Sequence, residues 1–324
     1  MVRNLLDRVT PVRRRARRPV AILTVAAWAA AIAVAACRPP SQPEARTFLA
    51  PEDAVKALTA AVKAGQTEML LRIFGPDGQE LLDSSDPVAA RRNRVVFAVA
   101  AAERWRLVDR DGNAKVLVIG NEEWPFPVPL VKDAGGWRFD TAAGKEEIIA
   151  RRIGRNELSA IRACRTYVAA QRLYARHPHD GKRAGLYAAT FRSDAGRQNG
   201  LYWPPAAGQR RSPLGDLLAE AADARRLQEP GDRKPLPFHG YYFRILTGQG
   251  AAAAGGAKEY VVNGEMSGGF ALVAWPARYD VTGIMTFLVN HDSVVREKDL
   301  GVETGQLVEA MSVYNPDASW APVE

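Results

Sequence analysis

Three of four adjacent positions hold the side chains best suited to metal binding in this chain: His177, His179 and Asp180. Two imidazoles and a carboxylate are zinc-ligand types, but ligands at i and i+2 need a further element to complete a tetrahedron, and nothing else in the sequence marks one. His and Asp just past a helix end are also ordinary turn residues, so the cluster reads as a turn, and no metal or other cofactor is expected. His239 stands at a strand start, where its ring is either a general base or a partner for a backbone carbonyl. Base catalysis needs a nucleophile, and the chain has no Gly-x-Ser-x-Gly turn; Ser267 lies in Glu265-Met266-Ser267-Gly268-Gly269, which reads as a hairpin. A structural role is the expectation for His239. Cys164 falls on an apolar helical stripe, which predicts a buried, protonated thiol rather than a nucleophile.

The carboxylates Glu122, Glu123, Asp140, Glu146 and Glu147 are the remaining acid–base candidates, yet paired acids beside turns are commonly solvated. Asp140 is the one singled out for a functional test. Gly255-Gly256 and Gly268-Gly269 lack the strand-to-helix setting of a phosphate loop. Five aromatics, Tyr187, Tyr202, Trp203, Tyr241 and Tyr242, together with His239, form the best binding candidate. They offer flat area for a sugar, a peptide or a protein, and equally the core beneath a long loop; both readings stand.

Charge decides where the protein works. The formal net charge is +8, but residues 1–36 carry seven arginines against Asp7, leaving 37 basic and 35 acidic residues in the remainder. A nearly neutral body removes the electrostatic argument for a nucleic-acid partner. Residues 1–36 read as an export signal: a basic start ending at Arg17-Arg18, an apolar run from Val20 to Ala36, and a break at Arg38-Pro39-Pro40. Val34-Ala35-Ala36-Cys37 resembles the bacterial lipobox, which implies a diacylglycerol on Cys37 and a mature chain that begins there. An uncleaved anchor helix is the competing reading of the same apolar run. Arg38, rather than Asp, after the cysteine implies the periplasmic side of the outer membrane, with inner-membrane anchoring as the alternative. Cys164 is the only other cysteine, so a lipidated chain has no internal disulfide.

At 324 residues and 47% hydrophobic content the length favours two domains. Residues 37–50 read as lipidated cysteine and Pro-rich tether. Apolar spacing from Ala54 to Val62, closed by Gly65, predicts a helix; Thr67 to Phe74 a second; and Pro87 to Trp105 a third, with Arg91, Arg92 and Arg94 on its wet side. The period then becomes two, predicting strands over 114–120, 126–132 and 136–141. Helices followed by an antiparallel meander make an α+β domain over 51–150. In the second domain, 151–324, a helix over 156–175 carries Leu158, Ile161, Cys164, Val168 and Ala175 on one face. A long turn-rich stretch at 177–211 and a helix over 213–226 follow. Strands are expected over 241–247, 258–263, 270–275, 282–289 and 293–297, then a helix over 304–312. Pro125, Pro127 and Pro129 alternate in "EEWPFPVPLVKDAGGWRFD", which reads as an edge strand, or the entry to one, in the closing hairpin of the first domain rather than as the rim of a site.

The order of elements over 50–142 resembles the nuclear transport factor 2-like superfamily, with a cystatin-like pattern of helices ahead of a sheet. Six phrases resemble a bacterial exported family known as domain of unknown function 2950: Trp124-Pro125-Phe126-Pro127, Gly136-Trp137-Arg138-Phe139-Asp140-Thr141, Ile153-Gly154-Arg155-Asn156-Glu157, Gly200-Leu201-Tyr202-Trp203-Pro204, His239 to Thr247 and Gly283 to Asn290. That resemblance implies no activity. The second half is similar to pilin-like and pseudopilin domains, a long helix ahead of an antiparallel sheet. The expectation is a non-enzymatic, lipid-anchored envelope protein, a binding or assembly module that meets the membrane through its lipid and engages an envelope protein or glycan. The alternatives are a periplasmic hydrolase of envelope glycans and a small-ligand carrier; the carrier requires an apolar cavity between helices 54–74 and strands 114–141.

Overall fold

The computed structural model describes residues 45–82, 87–208, 210–215 and 237–323. The expected leader, Cys37 with most of its tether, and most of the expected 213–226 helix lie outside those residues. The fold is α+β. Helices α1 (Pro51–Lys63) and α2 (Thr67–Phe74) start as expected, with Pro51 at the first turn and acidic Glu52 and Asp53 where the helix dipole favours them. They bury Leu58, Leu70, Ile73 and Phe74, each stabilising by about 1.5–3 kcal/mol relative to exposure. A short helix α3 (Gly78–Leu82) follows where only a break was expected, and α4 covers Pro87–Glu103.

The first sheet holds β1 (Trp105–Asp111), β2 (Ala114–Ile119), β3 (Trp124–Pro125), β4 (Leu130–Asp133) and β5 (Gly136–Phe139) in the order β1-β2-β4-β5, with β3 also on β2. Strand β1 is a correction: Trp105 begins it instead of ending the preceding helix, and charged residues at Arg106, Asp109, Arg110 and Asp111 hide the alternation in an edge strand. The expected tether also shortens. Arg46 donates its backbone N–H to the Arg72 carbonyl, and Phe48 exchanges two 2.7 Å backbone bonds with Trp137, because the Phe48 side chain is buried in the core. Gly136 makes that pairing possible: its φ of 118° suits glycine, and a Cβ there would sit 2.5 Å from the Phe48 carbonyl oxygen.

Helix α5 (Thr141–Ala175) is one uninterrupted element of 35 residues, roughly 50 Å long. The boundary expected at residue 150 falls inside it. Its second half joins the hydrophobic cluster of the second sheet, while its start abuts Val128 of the other cluster, which is built from α1, α2, α4 and the first sheet. Its start is fixed by the Thr141 hydroxyl, which donates to the Phe74 carbonyl at 2.6 Å. Its C-terminal half buries Ala160, Cys164, Tyr167, Val168 and Tyr174; Leu158, expected on that stripe, is half exposed, because the true stripe starts two positions later. Burial pushes the Cys164 thiol up to about 12 from 9.0. Tyr174 and Tyr260 are pushed up to about 12 from 10.0, again chiefly by burial.

The second sheet runs β14-β13-β12-β11-β6, antiparallel throughout, from β6 (Tyr241–Leu246), β11 (Ala271–Pro276), β12 (Met285–Asn290), β13 (Arg296–Asp299) and β14 (Ala321–Pro322). The expected strand over 258–263 divides into β8 (Lys258–Glu259), paired with β7 (Gly248–Gln249), and β9 (Val261–Val262), paired with β10 (Glu265–Met266). Buried Tyr260 separates them and donates its hydroxyl to Gln249 at 2.7 Å. Helix α6 (Thr304–Glu309) ends under Arg244, whose guanidinium donates to the carbonyls of Val308 and, at 2.6 Å, Met311.

Three of the six sequence phrases meet where α5 crosses this sheet. The Glu157 carboxylate accepts the backbone N–H groups of Ile284 and Met285 at 2.9 and 3.0 Å, and Asn156 donates to the Thr282 carbonyl at 2.8 Å. The Tyr241 hydroxyl donates to the Met285 carbonyl at 2.9 Å; burial first, and the Glu157 charge next, holds it protonated. Gly283 leaves the room this needs, since a Cβ there would lie 2.1 Å from the Tyr241 oxygen. Glu157→Ala removes two charge-assisted bonds and is expected to cost about 2 kcal/mol, with about half of that for Glu157→Gln. A lowered urea midpoint at unchanged slope checks this, against Arg162→Ala, expected to stay within about 0.5 kcal/mol. The alkaline limb follows from the raised acids: the unfolded thiol and phenols ionise near 9 and 10, before the folded ones near 12. Stability is therefore full below pH 9 and falls as pH climbs toward 12, which urea midpoints measured from pH 7 to 11 will register.

Candidate functional site

A cavity of about 640 Å³ opens in the first half of the body, within the size range of small-molecule sites. Its floor is hydrocarbon: Leu58 and Val62 from α1, Leu70 and Phe74 from α2, and Phe97 from α4. One wall is the stretch Trp124-Pro125-Phe126-Pro127-Val128. This corrects the expected strand over 126–132. Phe126 still donates its N–H to the Leu117 carbonyl at 2.7 Å, but residues 126–129 leave the ladder between β3 and β4, and their side chains turn toward α4 and α5. The cause is backbone chemistry. Pro127 and Pro129 have no N–H to give, and after the Asp140 N–H bonds the Pro129 carbonyl at 2.8 Å the partner chain turns into α5. Phe126 packs edge-on against Phe97 and Phe139 at centroid distances of 5.3 and 6.2 Å. Val128 is wedged under α5 at Gly144, where a Cβ would fall 2.7 Å from the valine methyl.

The opposite wall is the first half of α5, with Ile148 and Ile149 beside Lys145, Arg151, Arg152 and Arg155. Two of these cations are balanced. Lys145 pairs with Glu80 at 2.7 Å and Asp77 at 3.8 Å. Arg151 pairs with Glu147 at 2.7 Å, donates to the Pro125 carbonyl at 2.7 Å and lies over the Trp124 ring at 5.7 Å. Arg152 and Arg155, and Arg94 across the cavity on α4, meet no carboxylate among the described residues. Glu80 is the one carboxylate among the described lining residues, and Lys145 holds it. The site can enclose an apolar body and attract an anion to its mouth; it presents no acid–base pair of the described residues to a bound molecule.

The residues singled out from the sequence lie elsewhere or are engaged in packing. Asp140 caps α5, accepting the Ala143 N–H at 3.2 Å. Glu123 pairs with Arg104 and Arg106, Glu147 with Arg151, and Glu122 and Glu146 are exposed. His239 is an exposed turn residue with φ of 47°, between Phe238 and Tyr241, which exchange backbone bonds. His179 is buried and stacked on Tyr174 at 3.9 Å, with Nε2 against the Tyr174 carbonyl at 3.0 Å; His177 is not drawn into a shared site with it. Trp203 and Tyr241 are buried in the second core, where Trp203 donates to the Arg210 carbonyl at 2.9 Å. Tyr187 packs on Phe270 at 4.8 Å, Tyr202 lines the same core partly exposed, and Tyr242 rests beside Trp275 at 5.6 Å. The 177–211 stretch is tied down by Gln171, which bonds both backbone groups of Ala188 at 2.7 and 2.9 Å, and by Asp180, which accepts the Gln198 N–H at 3.0 Å.

Sequence reasoning missed the cavity arginines. Arg94 had been placed only on the wet side of its helix, and Arg152 and Arg155 carry no local signal beyond lying one turn from apolar neighbours. Among the described residues no helix is long and apolar enough to cross a membrane, and no group of three or more metal-ligand side chains converges. No curated protein and no solved structure matches the chain. A family match does cover residues 45–323, nearly the whole body, including the cavity wall and the phrases that dock α5. The chain thus belongs to the family described as Protein of unknown function (DUF2950).

Proposed function

We propose that this chain is a lipid-anchored protein of the bacterial cell envelope that binds a small ligand in the cavity between α1, α2, α4, α5 and the 124–128 wall without transforming it. Val34-Ala35-Ala36-Cys37 supports the anchor, with the diacylglycerol on Cys37 and the body at the periplasmic face of the outer membrane. The near-neutral body behind the basic leader supports export over nucleic-acid binding. The observation that carries the binding role is the 640 Å³ cavity with its hydrocarbon floor. Apolar surface left facing such a space favours any ligand that covers it, by about 25 cal/mol per Å² of area removed from water. The carrier reading is supported over the hydrolase by the lining, whose one described carboxylate is already paired.

Two outcomes check the reading. A Cys37→Ala chain is expected to accumulate as unprocessed precursor in whole cells, seen as a slower band on a gel; normal processing would contradict the anchor. The full chain is expected to enhance the fluorescence of the neutral apolar probe N-phenyl-1-naphthylamine. Ile149→Trp, which fills the space from α5, is expected to reduce that enhancement about tenfold at an unchanged unfolding midpoint.

A further inference from the structure

The mouth of the cavity restricts what can enter it, given that the cavity is the ligand site. We infer that the ligand is an amphipathic anion: an extended apolar chain bearing one carboxylate or phosphate head. Both helices at the mouth repeat the same step. On α5, Arg152 lies one turn from Ile148; on α4, Arg94 lies about one turn from Phe97. One helical turn is about 5.4 Å, so the lining changes from hydrocarbon to guanidinium over the length of a head group. Arg155 adds a third cation one turn further along α5.

The contrast between paired and unpaired cations carries the argument. Lys145 and Arg151 have carboxylate partners supplied by the fold, whereas Arg94, Arg152 and Arg155 have none among the described residues. Like charges gathered over low-dielectric walls focus the field and raise the local concentration of anions. Guanidinium suits carboxylate and phosphate because it donates in pairs to both. A neutral apolar ligand leaves the three guanidiniums without a carboxylate among the described residues, and a small inorganic anion leaves the half-buried Val62, Phe126, Ile148 and Ile149 partly facing water. Nucleotides and sugar phosphates need polar partners for their base or hydroxyls, and the floor is hydrocarbon.

Competition against N-phenyl-1-naphthylamine on the full chain tests this, with four competitors: hexadecanoate, hexadecyl phosphate, hexadecanol and inorganic phosphate. The two amphipathic anions are expected to displace the probe at least about tenfold more effectively than hexadecanol, and inorganic phosphate is expected to leave it bound. Their order relative to each other separates a fatty-acid head from a phospholipid head. In the double variant Arg152→Gln and Arg155→Gln, the neutral probe is expected to bind as before while the preference for anions over hexadecanol falls to about threefold or less. Equal displacement by hexadecanol in the unaltered chain would overturn the anionic head and leave the cavity as a site for neutral apolar ligands. Displacement by inorganic phosphate alone would overturn the amphipathic chain. Failure of the probe to bind at all would overturn the ligand site itself.

Discussion

The fold depends on one helix being held at its start and at its middle by different chemistry. At its start α5 is fixed by Asp140, by the Thr141 hydroxyl on the Phe74 carbonyl, and by the close approach of Gly144 to Val128. At its middle it is fixed by Glu157 and Asn156 on the chain that leads into the strand beginning at Met285. A 35-residue helix gains far more from these tertiary contacts than from its own propensity. The segment between the anchors, from Lys145 to Arg155, is then free to face the cavity with a mixed apolar and cationic surface that would make a poor core.

That arrangement explains what several of the six sequence phrases do. Glu157, Gly283 and Tyr241 meet in one knot of hydrogen bonds, and Trp137 and Gly136 hold the strand at Phe48. These residues are fixed by geometry and show no arrangement suited to bond-making chemistry. Trp124 and Phe126 have a second role, because the same proline-broken strand that closes the sheet also forms the cavity wall.

Much of the architecture was legible in the sequence. Apolar spacing in α1 and α2 and the alternation in β5 are strong because each element buries a single face, whereas β2 and β11 are legible as short apolar runs buried at successive positions. Strand β1 was hidden by the charges that protect its edge, and the unity of α5 by Gly144, a residue type that weakens helix interiors but here serves a close packing contact. The site was less legible. Hydrogen-bonded aromatics such as Trp203 and Tyr241 carry the same residue types as a binding surface, and only their burial distinguishes them. The cavity arginines lie on two helices separated in sequence by the whole first sheet, so no local pattern brings Arg94 together with Arg152 and Arg155. The alternating prolines signalled lost hydrogen bonds correctly; where the freed side chains would turn was decided by α4 and α5.

The central claim is that the cavity between α1, α2, α4 and α5 holds an apolar chain with its anionic head at Arg152 and Arg155. A crystal structure of the full chain grown with 16-bromohexadecanoate, read at the bromine absorption edge, tests it most directly. The account predicts an anomalous peak among Leu58, Leu70 and Phe74, with carboxylate density within hydrogen-bond distance of Arg152 or Arg155. Bromine located outside this cavity, or a chain bound with its carboxylate pointing away from both arginines, would contradict it.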